Sequence, residues 1–174
     1  MKKRTVVILF STLAILVVFG LVFAHTFVFN VFGGRVQFPQ EYIGANLTME
    51  DGKNFKVFRR LKIEDKSSID TEYTVFKVRF KFKSLKLKFN KRLSMIPVPF
   101  LVGMEGFCEK YWTFDENTDY FQGIYQWKSK AIAEKYPDSF IFKLMTKRSA
   151  PETLSYEIIP NTDLSQYIQT LSSE

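Results

Sequence analysis

GMEGFCEKYWTFDENTDYFQGIYQWKSKAIAEKYPDSFIFKLMTKR, residues 103–148, is the stretch on which the fold turns. Phe107 to Phe114 is dense in aromatic side chains and reads as a strand. Asp115-Glu116-Asn117-Thr118 reads as a polar turn and Asp119 to Trp127 as the returning strand, which together make a hairpin. Because successive side chains of a strand alternate, Phe121, Gly123, Tyr125 and Trp127 share one face, while Tyr120, Gln122, Ile124 and Gln126 share the other. Ser129 is placed to cap the helix that follows, since its hydroxyl can accept a first-turn N–H. Ile132, Tyr136, Phe140 and Leu144 recur every four residues beside Ile141 and Met145, an apolar stripe that must lie on the sheet. One long helix is expected, kinked or divided near Tyr136 by Pro137.

Outward from this unit the period is two. Phe55, Val57, Leu61 and Ile63 alternate with Lys56, Arg60 and Lys62. Phe76, Val78, Phe80 and Phe82 alternate with Lys77, Arg79, Lys81 and Lys83. Both segments read as strands with one apolar face, pairing antiparallel with each other across the polar EDKSSID segment. The phase reverses at Ser84, so a bulge or the end of the strand falls there. Lys91 to Ile96 has room for one or two helical turns, and Pro97 and Pro99 predict an ordered apolar connection in place of a regular helix over PVPFLVG. Leu154 to Ile159 is a final strand. The organisation expected is a membrane segment over residues 1–30, a linker over 31–54, an α+β domain over 55–160 and a frayed polar tail over 161–174.

Thr5 to Ala24 runs twenty positions without a charge, long enough to cross a bilayer. Lys2, Lys3 and Arg4 precede it, so the positive-inside rule puts the N-terminus in the cytoplasm and the domain outside. The competing reading is a signal peptide cleaved after Val22-Phe23-Ala24, leaving a secreted protein. Either way the domain is exported.

Composition narrows the chemistry. The chain of 174 residues is 46% hydrophobic with 19 Phe, 8 Tyr and 2 Trp, ample for a β-rich core. Of the net charge of +7, three units precede the apolar segment, and the remaining +4 with no nucleic-acid-reading module gives no nucleic-acid partner. Cys108 is the only cysteine and His25, inside the apolar segment, the only histidine. The exported part therefore has no Ser-His-Asp or Cys-His set, no histidine-containing zinc site and no histidine for haem, so neither cofactor nor metal is expected. Asp115, Glu116 and Asp119 sit at the hairpin tip, where a solvated turn accounts for them, and Cys108 reads as a small buried residue.

Two binding surfaces are open to the sequence. Gly123 leaves a gap in mid-strand, framed by Tyr125 and Trp127 with Tyr111 or Trp112 opposite, which either seats a flat organic ligand or admits a helix side chain. The basic row Lys77, Arg79, Lys81 and Lys83 either faces solvent or draws anionic lipid headgroups or a partner, as a non-enzymatic envelope interaction module would.

Strands near 73–83, 107–114, 119–127 and 154–159, with a connection after the first and a helix after the third, follow the ferredoxin-like order. On GMEGFCEKYW, FQGIYQWKSKAIAEKY, SFIFKLM and PETLSYEII the chain resembles the dimeric α+β barrel superfamily, which includes cofactor-independent monooxygenases of the antibiotic-biosynthesis type. The resemblance covers Phe76 to Ile159 and implies a homodimer with facing sheets that binds a small aromatic or anionic molecule and oxidises it without a cofactor. Facing sheets would turn Arg79 and Lys81 inward, so the pocket implied comprises Arg79, Lys81, Tyr111, Trp112, Gly123, Tyr125 and Trp127. The haem-degrading branch of the superfamily uses a histidine that this domain lacks.

Overall fold

The computed structural model describes residues 34–64, 72–84 and 87–172, with the isolated positions Val17, Gly20, Leu21, Ala24 and His25. The expected anchor over residues 5–24 is, as a segment, outside the described residues, and among those described no helix is long and apolar enough to cross a membrane.

The elements are β1 (Val36–Gln37), β2 (Asn46–Thr48), β3 (Asn54–Ile63), β4 (Thr74–Phe80), α1 (Leu87–Leu93), α2 (Val98–Val102), β5 (Phe107–Phe114), β6 (Phe121–Trp127), α3 (Lys130–Ala133), a 3-10 turn (Tyr136–Asp138), α4 (Phe140–Arg148), β7 (Ser155–Ile159) and α5 (Leu164–Leu171). All strands join one antiparallel sheet in the order β1-β3-β5-β6-β4-β7, with β2 beside β1 on the outer edge of β3. Within it, β4, the α1–α2 crossover, β5, β6, the α3–α4 crossover and β7 are the ferredoxin-like unit, and its strands lie in the order β7-β4-β6-β5. The fold is thus α+β and ferredoxin-like, with an added strand, β3, on the β5 edge.

The hairpin forms as its sequence predicts. Asp115 closes the turn by accepting hydrogen bonds from the Asn117 amide and the Thr118 hydroxyl, which is why three acids cluster there without being a site. Ser129 caps α3 by accepting from the Ile132 amide, and Ser139 caps α4 by accepting from Phe142. The long helix is divided at Pro137, whose ring and missing N–H end one helical ladder before the next begins.

Four expectations are corrected. First, β3 pairs with β5 and not with β4, whose neighbours are β6 and β7. Alternation specifies a strand's faces but not its partner. Second, a register shift between Val57 and Arg59 sends Phe55 and Val57 to one side of the sheet and Leu61 to the other. Third, Pro97 and Pro99 do not prevent a helix at Val98–Val102, because they occupy its cap and first turn, where no N–H is needed. Fourth, neither the linker nor the tail lies outside the domain. Leu47 and Met49 are buried, and Leu164, Ile168 and Leu171 form the inner stripe of α5, capped by Asp163.

These last segments matter for the architecture. One face of the sheet carries Phe76, Val78, Phe80, Trp112, Tyr125 and Trp127 against Tyr136, Ile141 and Phe142 of the α3–α4 crossover. The other carries Val57, Val75, Tyr111 and Ile124 against Leu47, Met49 and α5. The face that would meet a second sheet across a dimer is therefore covered by the chain itself.

Because Ile168 is completely buried on that second face, Ile168→Ala is expected to lower the unfolding free energy by about 3 kcal/mol. Urea denaturation of the full chain in detergent checks this, and an unchanged midpoint would mean that α5 is a frayed tail.

Candidate functional site

Between the first face of the sheet and its helices lies a cavity of about 80 Å³ that opens to solvent. Phe80, Phe121, Trp112, Gly123 and Tyr125 form its floor. Leu93, Ile96 and Pro97 close one side, and Ile141, Leu144 and Met145 the other. Its volume is about half that of an engineered cavity of roughly 150 Å³ that takes a benzene ring, so a single-ring ligand would have to extend into the open mouth. A macrocycle such as haem has no room as the walls stand. Among the lining residues the charged ones are Lys110 and Arg148; none is acidic.

Lys110 is the feature that sets this cavity apart from an ordinary core defect. Strand β5 is buried at every position, so the lysine alternating with Trp112 and Phe114 points into the interior, and it is only 5% exposed. Its Nζ lies 4.1 Å from the centroid of the Trp112 ring and 4.3 Å from that of Tyr125. No carboxylate or carbonyl among the described residues accepts a hydrogen bond from it. Aromatic faces attract a cation, by roughly 2 kcal/mol when both are desolvated, far less than the cost of taking an ammonium out of water. Burial, and then the Arg59 cation nearby, hold the Lys110 ammonium well below the ordinary lysine range.

Arg59 is itself occupied. It donates to the Lys91 carbonyl at 3.1 Å and to the Ser94 hydroxyl, and so ties the end of α1 to β3 above the cavity. Tyr136 donates to the Tyr125 hydroxyl at 3.0 Å, and burial, first of all causes, pushes both phenols up, so both stay protonated.

Gly123 answers the question its position raised. A Cβ there would fall 2.6 Å from the Tyr125 ring. The gap is filled by the ring of Tyr125 itself, two residues along the strand. Gly123 thus allows Tyr125 to lie flat as cavity wall.

The residues expected in a pocket are divided by the structure. Trp112, Gly123 and Tyr125 line the cavity. Trp127 is fully buried beside it, stacked on Tyr125 with centroids 6.4 Å apart, and its indole N–H has no acceptor among the described residues. Tyr111 points to the opposite face, where the Arg60 guanidinium lies 5.0 Å from its ring centroid. Arg79 and Lys81 are likewise not cavity residues. Val78 sits opposite Gly123, so Arg79 must face away; it pairs with Asp51 at 2.6 Å and Gln122 at 3.0 Å. Lys81 lies over Tyr120, 4.7 Å from its centroid.

Half of the basic row is neutralised by acids of the same chain. Lys77 is held between Glu50 at 2.9 Å and Glu157 at 3.0 Å, and these bonds outweigh burial and raise its pKa. Lys83 donates to the Lys147 carbonyl. Lys77 and Arg79 are thus neutralised in a groove that also holds Glu50, Asp51 and Glu157, whereas Lys81 and the exposed Lys83 meet no acid among the described residues.

Lys110, Arg148 and Tyr136 are among the cavity residues that the sequence reading missed. The signal for Lys110 was present: it shares parity with Trp112 and Phe114 on a strand whose every other residue is aromatic, small or destined for the interior.

No family model matches the chain, and no curated protein matches it. Among solved structures it is similar to an uncharacterized ferredoxin-fold protein related to antibiotic biosynthesis monooxygenases from Listeria monocytogenes, at 11% identity over 74% of this chain and 93% of that one, with a TM-score of 0.48. It is also similar to a monooxygenase-like protein from Listeria innocua, at 14% identity over 74% and 92% of the two chains and a TM-score of 0.47. A haem-degrading enzyme from Listeria monocytogenes shares 14% identity over 64% of this chain and 73% of its own, with a TM-score of 0.45. The fold assignment rests on the strand order of this chain, and no residue role is taken from these proteins.

The environment of Lys110 has a pH signature. Its folded pKa lies below the unfolded value of about 10.4, so between the two the unfolded chain binds more protons and stability rises with pH. Lys110→Met is expected to stabilise the domain at pH 7 by about 2 kcal/mol, raising Tm by about 5 °C, with the gap narrowing toward pH 10. Thermal unfolding of both proteins across that range measures it; a gap independent of pH, or a less stable Met variant, would contradict the assignment.

Proposed function

We propose that this chain is a small-ligand-binding domain whose ligand is a single-ring aromatic acid, a carboxylic acid or an ionisable phenol, held in the cavity with Lys110 as its counter-ion. The observation that carries this reading is a buried lysine that no acid partners, in a cavity walled by aromatic rings and free of carboxylates. An unpaired amine in an apolar site takes a proton from an acidic ligand as that ligand enters, and the ion pair so formed is protected from water. Trp112 and Tyr125 supply flat apolar contact for the ring, and Arg148 offers a second cation.

Cofactor-free oxygenation is the activity this site suits. A phenol or enol that has lost its proton to Lys110 yields an electron to dioxygen far more readily than the neutral molecule, and no other residue lining the cavity is placed to act as that base. The membrane segment belongs to the same proposal: the twenty uncharged residues from Thr5 to Ala24 anchor the domain outside the cell, with the N-terminus in the cytoplasm.

Trp112 provides the readout. The full chain, released from alkali-washed membranes only by detergent if the anchor is retained, is titrated with benzoate and with the neutral analogue benzyl alcohol while tryptophan fluorescence is followed. Saturable quenching by benzoate, weakened about tenfold or more in Lys110→Met, is expected, and dioxygen uptake on adding a phenol should disappear in the same variant. Equal binding of benzyl alcohol, or no saturable response, would overturn the reading.

A further inference from the structure

We infer that Lys110 is a nucleophile as well as a counter-ion, and that the cavity takes single-ring aromatic aldehydes or ketones as an imine on its Nζ. The inference rests on the proposed aromatic-binding site and names a second ligand class for it.

Three features of the geometry point to covalent capture. An amine can attack a carbonyl only through a lone pair that is neither protonated nor engaged, and among the described residues no acid or carbonyl is bonded to Nζ. The groups facing it are Arg59 from β3, the Trp112 ring on its own strand, the Tyr125 ring from β6, and, elsewhere in the lining, Tyr136 and Arg148. The charged group that acts on it, Arg59, is a cation. This is the general arrangement by which proteins keep a lysine amine neutral, an apolar pocket with a second cationic group beside it. The direction of its pKa agrees.

The second feature is the pair of rings. A planar aromatic carbonyl seated between the Trp112 and Tyr125 walls is brought to the amine by apolar contact alone, without a hydrogen bond that would have to be broken for attack. The third is a source of protons. Tyr136 donates to the Tyr125 oxygen, which leaves the Tyr125 hydroxyl proton available to another acceptor, and both phenols remain protonated at neutral pH.

The step is balanced without any co-reactant. The Nζ lone pair forms a bond to the carbonyl carbon while the π pair of the C=O moves to oxygen. Transfer of a proton from nitrogen to that oxygen gives the carbinolamine. The C–O bond then breaks, the oxygen departs as water with a second proton, and the C=N bond forms. Nothing is oxidised or reduced, and hydrolysis reverses the sequence.

The test uses the full chain in detergent at pH 7 with 4-formylbenzoate, an aromatic aldehyde carrying a carboxylate, and sodium cyanoborohydride, which reduces an imine to a stable secondary amine. Labelled sites are found by peptide mass mapping. At this pH an ordinary lysine is neutral in only about one molecule in 2,500. Lys110 is therefore expected to be labelled at least about tenfold faster than any exposed lysine. Excess benzoate should suppress that labelling and leave the rest unchanged, and Lys110→Met should lose it alone. Labelling spread over exposed lysines, with Lys110 no faster, would overturn the inference. If benzoate still quenches Trp112 in that case, the aromatic-acid site stands without the imine; if it does not, both fail.

Discussion

A central hairpin closed on both sides is the constraint from which the rest of this structure follows. All eight residues of β5 and all seven of β6 are buried, so no polar side chain on either strand can be discharged into water. Several are matched from within, while the Tyr111 hydroxyl and the Trp127 indole N–H are not. Glu109 meets Arg60 at 2.6 Å, and Arg60 in turn reaches Glu41. The Gln126 oxygen accepts the Leu164 amide that opens α5, and the Thr113 hydroxyl donates to the Gln122 carbonyl. These bonds fix where the N-terminal segment and the C-terminal helix sit, because a buried polar group left unmatched costs about 1–3 kcal/mol. Lys110 is the charge on the hairpin that no acid matches.

On the proposed reading, that exception gives the domain its chemistry. A neutral amine inside a hydrophobic wall is unstable toward anything that can donate a proton to it or accept its lone pair. The molecule keeps room for such a partner. Arg59 ties the end of α1 to β3, Gly123 lets Tyr125 lie flat, and the division of the helix at Pro137 brings Tyr136 onto Tyr125. The same closure of the second face, by α5 and the segment around Leu47, removes the surface on which two ferredoxin-like sheets would pack. The chain supplies from its own ends the cover that a partner sheet would otherwise give.

Much of this was legible in the sequence, and the limits are physical. The hairpin, the Ser129 cap and the break at Pro137 depend on local preferences, and all are present. The ferredoxin-like order followed from the spacing of strands and helix. Partners are non-local: the alternation at Phe55–Ile63 specifies two faces, but nothing in it names β5 as neighbour, and the register shift after Val57 reverses the parity midway. Leu164, Ile168 and Leu171 are three apolar residues among polar ones, a stripe too short to stand out until a sheet lies beneath it. In the cavity, Trp112, Gly123 and Tyr125 were found because a glycine among aromatics marks close approach. Arg79 and Lys81 were assigned inward, although alternation with Val78 and Phe80 sends them out once helices, and not a second sheet, cover that side. Lys110 escaped notice because lysine on a strand is ordinarily solvated, and only the burial of the whole hairpin makes it otherwise.

The state of the Lys110 amine tests this account most directly. In full-length protein labelled with ¹³C-lysine, the Cε resonance of Lys110, assigned by its loss in Lys110→Met, can be followed against pH with and without benzoate. The account predicts a resonance displaced by the Trp112 and Tyr125 rings, a midpoint well below the ordinary lysine value of about 10.4, and an upward shift of that midpoint when benzoate is bound. A midpoint at the ordinary value, unmoved by benzoate, would contradict it.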